Sequence, residues 1–227
     1  MELYNLTLLH KETLTKNVRL LRFATPPGME FKAGQFMQFL IPTTERKIPR
    51  SYSISSTPHD EYLEFCIKIL ENGIGSTHFE QMQLGEAVEM KGPLVKFVLD
   101  AEASAHVFVA TGVGIAPIMG ILRNALLHQT IAAPMKLLFG VRSEKDIFWN
   151  EALHAFAESN SHFSYQLTLS QPEATWHGLT GRVVEHLDDI DVNAHYYLCG
   201  SAEMVRDVRG ILIAAGVQSA HIHFEIF

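Results

Sequence analysis

The strongest constraint on the fold is an apolar run from His106 to Ala110. It gives way to Thr111-Gly112-Val113-Gly114-Ile115-Ala116-Pro117 and then to the helical stretch Ile118–His128. A buried strand that turns on glycines into a helix is one unit of a parallel sheet. The unit repeats. Lys136–Val141, Ser164–Ser170, His195–Cys199 and His221–Phe227 are further strand candidates, with helical stretches at Ile147–Glu158, Gly181–Leu187 and Ala202–Ala215 between them. This βαβαβαβαβ alternation predicts an α/β doubly wound parallel sheet with right-handed crossovers.

Gly112-Val113-Gly114 lies where a dinucleotide's pyrophosphate would rest, at a strand-to-helix junction. Pro117 replaces the third glycine of the GxGxxG fingerprint, and proline in a first helical turn leaves the helix intact. A glycine pair after a strand is a short signal alone. Cys199-Gly200-Ser201 strengthens it by ending another strand and opening another helix, so that both turns can flank one crevice.

Residues 1–100 read differently. Tyr4–Lys11, Val18–Ala24, Phe36–Ile41, Arg50–Ser55, Tyr62–Leu70 and Ala87–Lys91 are β-rich runs divided by Gly and Pro, which predicts a small antiparallel β-barrel. The exception is Gly73–Met82, where a glycine turn opens a short helix at Ser76 or Thr77. Its start presents free N–H groups and the positive end of a dipole, suited to a phosphate, although a plain N-cap has the same sequence. Two domains follow, 1–100 and 101–227, with the boundary in Phe97–Ser104.

Within the first domain, Arg50-Ser51-Tyr52-Ser53 ties a guanidinium, a ring and a hydroxyl to one extended segment. On a strand Arg50 and Tyr52 share a side and Ser53 faces the other. The set suits a flat, phosphorylated ligand, with a fork for phosphate, a ring for a heterocycle and a hydroxyl for a ring nitrogen. An ordinary strand with one solvated arginine and a half-buried tyrosine fits the same four residues.

Composition narrows the function. The net charge of −7 argues against nucleic acid as a partner. Residues 1–50 nevertheless hold eight Lys/Arg against four acids, so this part is able to face an anionic ligand or an acidic partner. Two cysteines, Cys66 and Cys199, are too few for an iron–sulfur cluster or a disulfide framework. None of the 12 histidines stands at a tight metal-ligand spacing, His221 and His223 merely sharing a strand face, so no metal is expected. Without an apolar run of spanning length or a signal-type start, no membrane span is expected and the default location is cytoplasmic.

Arg50-x-Tyr52-Ser53, Gly73-x-Gly75-Ser76, Gly112-x-Gly114-x-x-Pro117 and Cys199-Gly200, in this order, resemble the ferredoxin–NADP⁺ reductase family of flavoproteins across nearly the whole chain. The resemblance implies an FAD-binding barrel followed by an NAD(P)-binding domain. Hydride would pass from NAD(P)H to FAD, and electrons onward to a separate redox protein or small-molecule acceptor, such as a ferredoxin or an oxygenase component. By that resemblance Arg50 contacts the FAD pyrophosphate, Ser51 belongs to the same FAD-binding stretch, Tyr52 stacks on the isoalloxazine and Ser53 lies near flavin N5. Ile67 and Lys68 lie along the ribityl and diphosphate, while Gly75, Ser76 and Thr77 hold the diphosphate. Thr111, Gly112, Val113, Gly114, Pro117 and Gly200 take the nicotinamide dinucleotide, and Cys199 borders the nicotinamide as a small wall. Ser53 and Glu225 supply polar groups at the transfer site.

The family often continues its last barrel turn as Gly-Pro-x-Gly, whereas this chain reads Gly92-Pro93-Leu94-Val95. No ferredoxin or hydroxylase module is expected in these residues. NADPH-specific relatives tend to carry a Ser-Arg pair where this chain has Leu169-Ser170-Gln171-Pro172, which favours NADH; Arg142 is placed to reach either a ribose or a phosphate. In His221–Phe227, alternation assigns Ile222, Phe224 and Ile226 to the core and puts Glu225 with Phe227 on the other face. Plant-type members end in Glu-x-Tyr with the ring over the flavin, which gives Phe227 that place here, or else it simply caps the core. Two rival readings stay open: a flavin reductase that treats flavin as a diffusing substrate, which a diphosphate site at Gly75-Ser76-Thr77 disfavours, and a non-catalytic flavoprotein subunit.

Overall fold

A computed structural model describes residues 2–94, 97–129 and 131–227. Six strands, β1 (Glu2–Thr15), β2 (Val18–Ala24), β3 (Phe36–Pro42), β4 (Lys47–Ser53), β5 (Tyr62–Lys68) and β6 (Ala87–Leu94), form an antiparallel sheet in the order β4-β3-β6-β1-β2-β5. The sheet curls until its two ends meet. Ile54 bridges Phe65, and the Ser55 N–H donates to the Glu64 carbonyl at 2.8 Å. Alternating side chains fill the interior, where Phe23, Phe39 and Phe65 meet edge to face at 4.9–5.9 Å between centroids. Helix α1 (Ile74–Gln81) lies in the connection from β5 to β6 and starts two residues ahead of Ser76. Val95, in the turn that departs from the family pattern, lies outside the described residues.

The second sheet is parallel throughout. Strands β7 (His106–Thr111), β8 (Met135–Val141), β9 (Phe163–Leu169), β10 (Leu179–Thr180), β11 (His195–Gly200) and β12 (Ile222–Ile226) lie in the order β10-β9-β8-β7-β11-β12. Helices α2 (Ile115–His128), α3 (Asn150–Ser159) and α4 (Ala202–Ala214) connect them. The strand order reverses beside β7, which opens a crevice at the carboxyl ends of β7 and β11.

Helix α2 is wedged between this sheet and the barrel. Ile115, Ile118, Met119 and Leu122 are buried in an apolar cluster that also takes in Val18, Ala33 and Cys66 of the barrel, so this cluster bridges the two sheets while the barrel keeps an interior of its own. Three sequence expectations give way. Residues 181–187 form only a 3₁₀ turn, Val183–His186, behind the short strand β10, because Gly181 takes a positive φ of 101° there. Phe224 and Ile226 are exposed rather than in the core, since β12 is an edge strand; Phe224 lies under the Arg209 guanidinium of α4 at 6.0 Å. The strand expected at Arg50–Ser55 begins at Lys47 and ends at Ser53. Among the described residues no helix is long and apolar enough to cross a membrane.

Candidate active site

A cleft of about 960 Å³ runs between the barrel and the carboxyl ends of the parallel strands. On the barrel side it is walled by Arg50–Ser53 of β4, by Cys66 and Lys68 of β5, and by Gly73–Ser76 at the start of α1. Opposite stand Thr111–Gly114, Gly140–Arg142, Ser170, Gly200, and the end of β12 with Ile226 and Phe227. Strand alternation accounts for this lining: Arg50 and Tyr52 turn toward α1, where a Cβ on Gly75 would stand 2.7 Å from the Tyr52 hydroxyl and 3.7 Å from Arg50 Cγ. The absence of a side chain at residue 75 is what lets the first turn of α1 close on them.

Tyr52 is held edge-on by Phe39 and Phe79, at 5.3 and 5.5 Å, and burial raises its phenol pKa, so the ring stays neutral. Among the described residues the Arg50 guanidinium bonds only the Pro49 carbonyl, at 2.8 Å. Neither α1 nor α2 carries an acid in its first turn, so two positive helix ends face one cleft, with the cations Arg50 and Lys68 on its barrel side and Arg142 and Arg182 on the other. The Ser76 hydroxyl is engaged elsewhere, accepting from the Leu70 N–H at 2.8 Å, which leaves its backbone to face the cleft.

Across the cleft, Gly112 sits at φ 54°, and Gly114 lies so close to β11 that a Cβ would meet the Cys199 carbonyl oxygen at 2.2 Å. Ser53, nearly buried at the end of β4, donates to Glu225 Oε2 of β12 at 3.0 Å and ties the two sheets together at the cleft floor. The residues fit a long cofactor with a planar end and a diphosphate: an aromatic, apolar wall at Tyr52, Cys66 and Val18, then cations and a helix start on the same side, with a glycine cradle a Cβ would fill.

Five expected site residues are not in the cleft lining; one of them, Glu225, bonds Ser53, which is. The Ile67 side chain is fully buried inside the barrel, because on β5 its neighbours Cys66 and Lys68 take the cleft side. Thr77 is exposed, and its N–H is taken by the Gly73 carbonyl at 2.8 Å. Pro117 is buried in α2. Cys199 is buried, with its thiol pKa pushed well above the ordinary value by burial and then by Glu225; it meets the Gly112–Gly114 turn through its backbone. Conversely, Cys66, Asn17 and Val18 line the cleft unforeseen. For Cys66 the signal was present in the two-residue period counted back from Lys68. Arg142, the residue of divided reading, donates through Nε to Gln171 Oε1 at 2.7 Å at the rim.

Two families match this chain: the oxidoreductase FAD-binding domain over residues 5–99 and the oxidoreductase NAD-binding domain over residues 108–210. Ferredoxin–NADP reductase B of Sorangium cellulosum is 32% identical over 226 residues, covering 93% of this chain and 92% of the relative. The anthranilate 1,2-dioxygenase electron transfer component of Acinetobacter baylyi is 32% identical over 204 residues, and the match spans 88% of this chain but only 59% of that protein. In three dimensions the chain matches a Neisseria gonorrhoeae ferredoxin NADP⁺ reductase, solved with FAD and NADP, at a TM-score of 0.87. There identity is 23%, with 100% of this chain and 99% of that one covered.

Proposed function

The chain belongs to the ferredoxin–NADP⁺ reductase family of FAD- and NAD(P)-binding oxidoreductases, and from that premise we propose that it carries electrons from NADH to a separate protein acceptor, a ferredoxin or the terminal component of an oxygenase. As an NAD(P)H-dependent flavoprotein it relies on FAD, which when bound supplies acceptance of a hydride from the nicotinamide and release of electrons to the acceptor. The domains are assigned to residues 1–100 and 101–227, and the location to the cytoplasm.

The protein's own part is to bind, orient and exclude water. Arg50, with Lys68 and the backbone of Gly75 and Ser76, holds the diphosphate; Tyr52 bears on the flat ring; Ser53, fixed by Glu225, presents its hydroxyl at the cleft floor. Gly112, Val113 and Gly114, with Thr111 and Gly200, bring backbone against the coenzyme. Arg142 and Gln171 meet its adenosine end. Gln171 already occupies the Arg142 Nε–H, and no Ser-Arg pair follows β9, which supports NADH over NADPH.

The observation that carries this reading is the convergence of Arg50–Ser53, Gly73–Ser76 and Gly112–Gly114 on one cleft. The test is a spectrum. Purified protein should be yellow, bleach with NADH under anaerobic conditions and release FAD on denaturation. A kcat/KM tenfold higher for NADPH would reverse the coenzyme assignment, and turnover that requires added free flavin would replace the reading with that of a flavin reductase.

A further inference from the structure

Behind the cleft, touching none of it, is a buried charge cluster that joins the barrel to α2. Glu64 of β5 is 0% exposed, and both of its carboxylate oxygens are engaged. Oε2 accepts from Arg22 Nε at 2.9 Å, directly across the ladder from β2, and Arg22 lies over the Tyr62 ring at 4.5 Å. Oε1 accepts from Arg123 Nη1 at 2.6 Å and from the Ser55 hydroxyl at 2.9 Å. Arg123 comes from α2; its Nη1 also donates to the Ser55 carbonyl at 2.9 Å, and its guanidinium lies 5.2 Å from the Trp149 ring. One turn earlier on α2, Gly120 presses on the same segment, where a Cβ would meet the Ile54 carbonyl oxygen at 2.8 Å and that of Ser56 at 3.3 Å.

These contacts bind two arms at their far ends. One arm is residues 50–56, whose other end carries Arg50, Tyr52 and Ser53 into the cleft. The other is α2, whose other end is the Gly112–Gly114 turn. Arg123 stands nine residues beyond Gly114, about 13 Å along the helix axis, so a small rotation at the cluster swings the turn across the cleft. A carboxylate removed from water holds its partners strongly only while each is in place, which makes this joint stiff and direction-specific.

We infer that Glu64, Arg123 and Gly120 are positioning residues: together they set the spacing between the nicotinamide-side turn and the Tyr52–Ser53 wall, and thereby the rate of transfer, without contacting cofactor or coenzyme. This rests on the reading of the cleft given above. A misplacement of about 1 Å in an oriented reaction is enough for a loss of the order of 100-fold, so the readout is sensitive.

The test compares the holoprotein with Arg123→Lys, Gly120→Ala and the double variant Glu64→Gln/Arg123→Met, which leaves no fully buried charge and costs the one-third-exposed Arg22 its carboxylate. Each is measured for FAD content, for the rate of flavin bleaching by NADH in a stopped-flow instrument, and for the distance between spin labels at E71C and D188C on the two sides of the cleft. FAD content should hold. The bleaching rate should fall at least tenfold in Gly120→Ala and the double variant, with partial rescue in Arg123→Lys, and the single narrow distance distribution should broaden or shift. Loss of thermal stability with an unchanged bleaching rate and distance distribution would show that the cluster holds only the fold. Wild-type protein that NADH fails to bleach would instead defeat the functional reading, while the label distances in Gly120→Ala, where every charge stays paired, still decide the positioning role.

Discussion

At the scale of single residues, the cleft separates groups that bind from groups that merely sit nearby. Arg50 is exposed and unpaired by any carboxylate among the described residues, so a ligand phosphate would be its first strong partner. A charge-assisted contact of this kind contributes about 1.5–3 kcal/mol, and Arg50→Ala should weaken FAD retention about tenfold or more, checked by titrating apoprotein with FAD. Unchanged affinity would remove Arg50 from the diphosphate site. Phe227 lines the same cleft at 50% exposure, with its N–H donated to the Gly200 carbonyl at 3.1 Å. A half-exposed ring at the coenzyme side is available to occupy the nicotinamide's place. Phe227→Ser should therefore tighten NAD(P)⁺ binding and enhance long-wavelength absorbance when NAD(P)⁺ is added to reduced enzyme; identical coenzyme affinity in the variant would reduce Phe227 to the end of a strand.

At the scale of elements, the two glycines of the β7–α2 turn have different reasons to be glycine, and the difference is measurable. Gly112 has open space around its Cβ position but a left-handed φ of 54°, so Gly112→Ala should destabilise by about 1–2 kcal/mol. Gly114 has the Cys199 carbonyl in its way at 2.2 Å, backbone against backbone, so Gly114→Ala has to move the turn itself. It should lower coenzyme affinity well beyond its effect on the melting temperature, whereas equal coenzyme affinity in the two variants would refute the distinction. Such turns, the β/α alternation and the Arg50–Ser53 segment were legible in the sequence because each follows from local chemistry and strand or helix period. The positions of Ile67 and Thr77 were not, since a motif names a stretch and only the strand face decides which member reaches the cleft. Phe224 was misread because an edge strand looks like an inner one until its neighbours are known. Least visible was the Glu64–Arg123 pair: the residues stand 59 apart in sequence, and nothing near either of them marks the other.

At the scale of the whole molecule, the parallel sheet has two chemically opposite ends. Its carboxyl end carries the cleft; its amino end gathers His106 of β7, His195 of β11 and His223 of β12 with Asp100 and His221. His195 Nδ1 lies 3.2 Å from His223 Nε2 and 3.6 Å from Asp100 Oδ2, and His195 stacks on His221 at 4.3 Å. Among the described residues no set of three or more side chains there is arranged to hold a metal ion. His106 is 0% exposed and among the described residues neither ring nitrogen has a hydrogen-bond partner; burial, and then the neighbouring His195, bring its pKa from 6.5 down to about 4, against a smaller opposing pull from Asp100. Burial also lowers His195 and His223. The sign follows from which state binds more protons. Between about pH 6.5 and about pH 4 an unfolded His106 is protonated while the folded one stays neutral, so its contribution to stability is complete above pH 6.5, falls as pH drops through that window, and falls no further below pH 4. The full loss from this group is on the order of 3 kcal/mol. His106→Leu removes the titrating ring and its unpartnered nitrogens from an apolar site beside Phe108 and Tyr197. Melting temperatures measured from pH 7.5 to pH 4.5 should fall less steeply for the variant than for the parent, with the two profiles converging toward neutral pH. Parallel profiles over that range would mean that His106 keeps its ordinary protonation behaviour despite its burial.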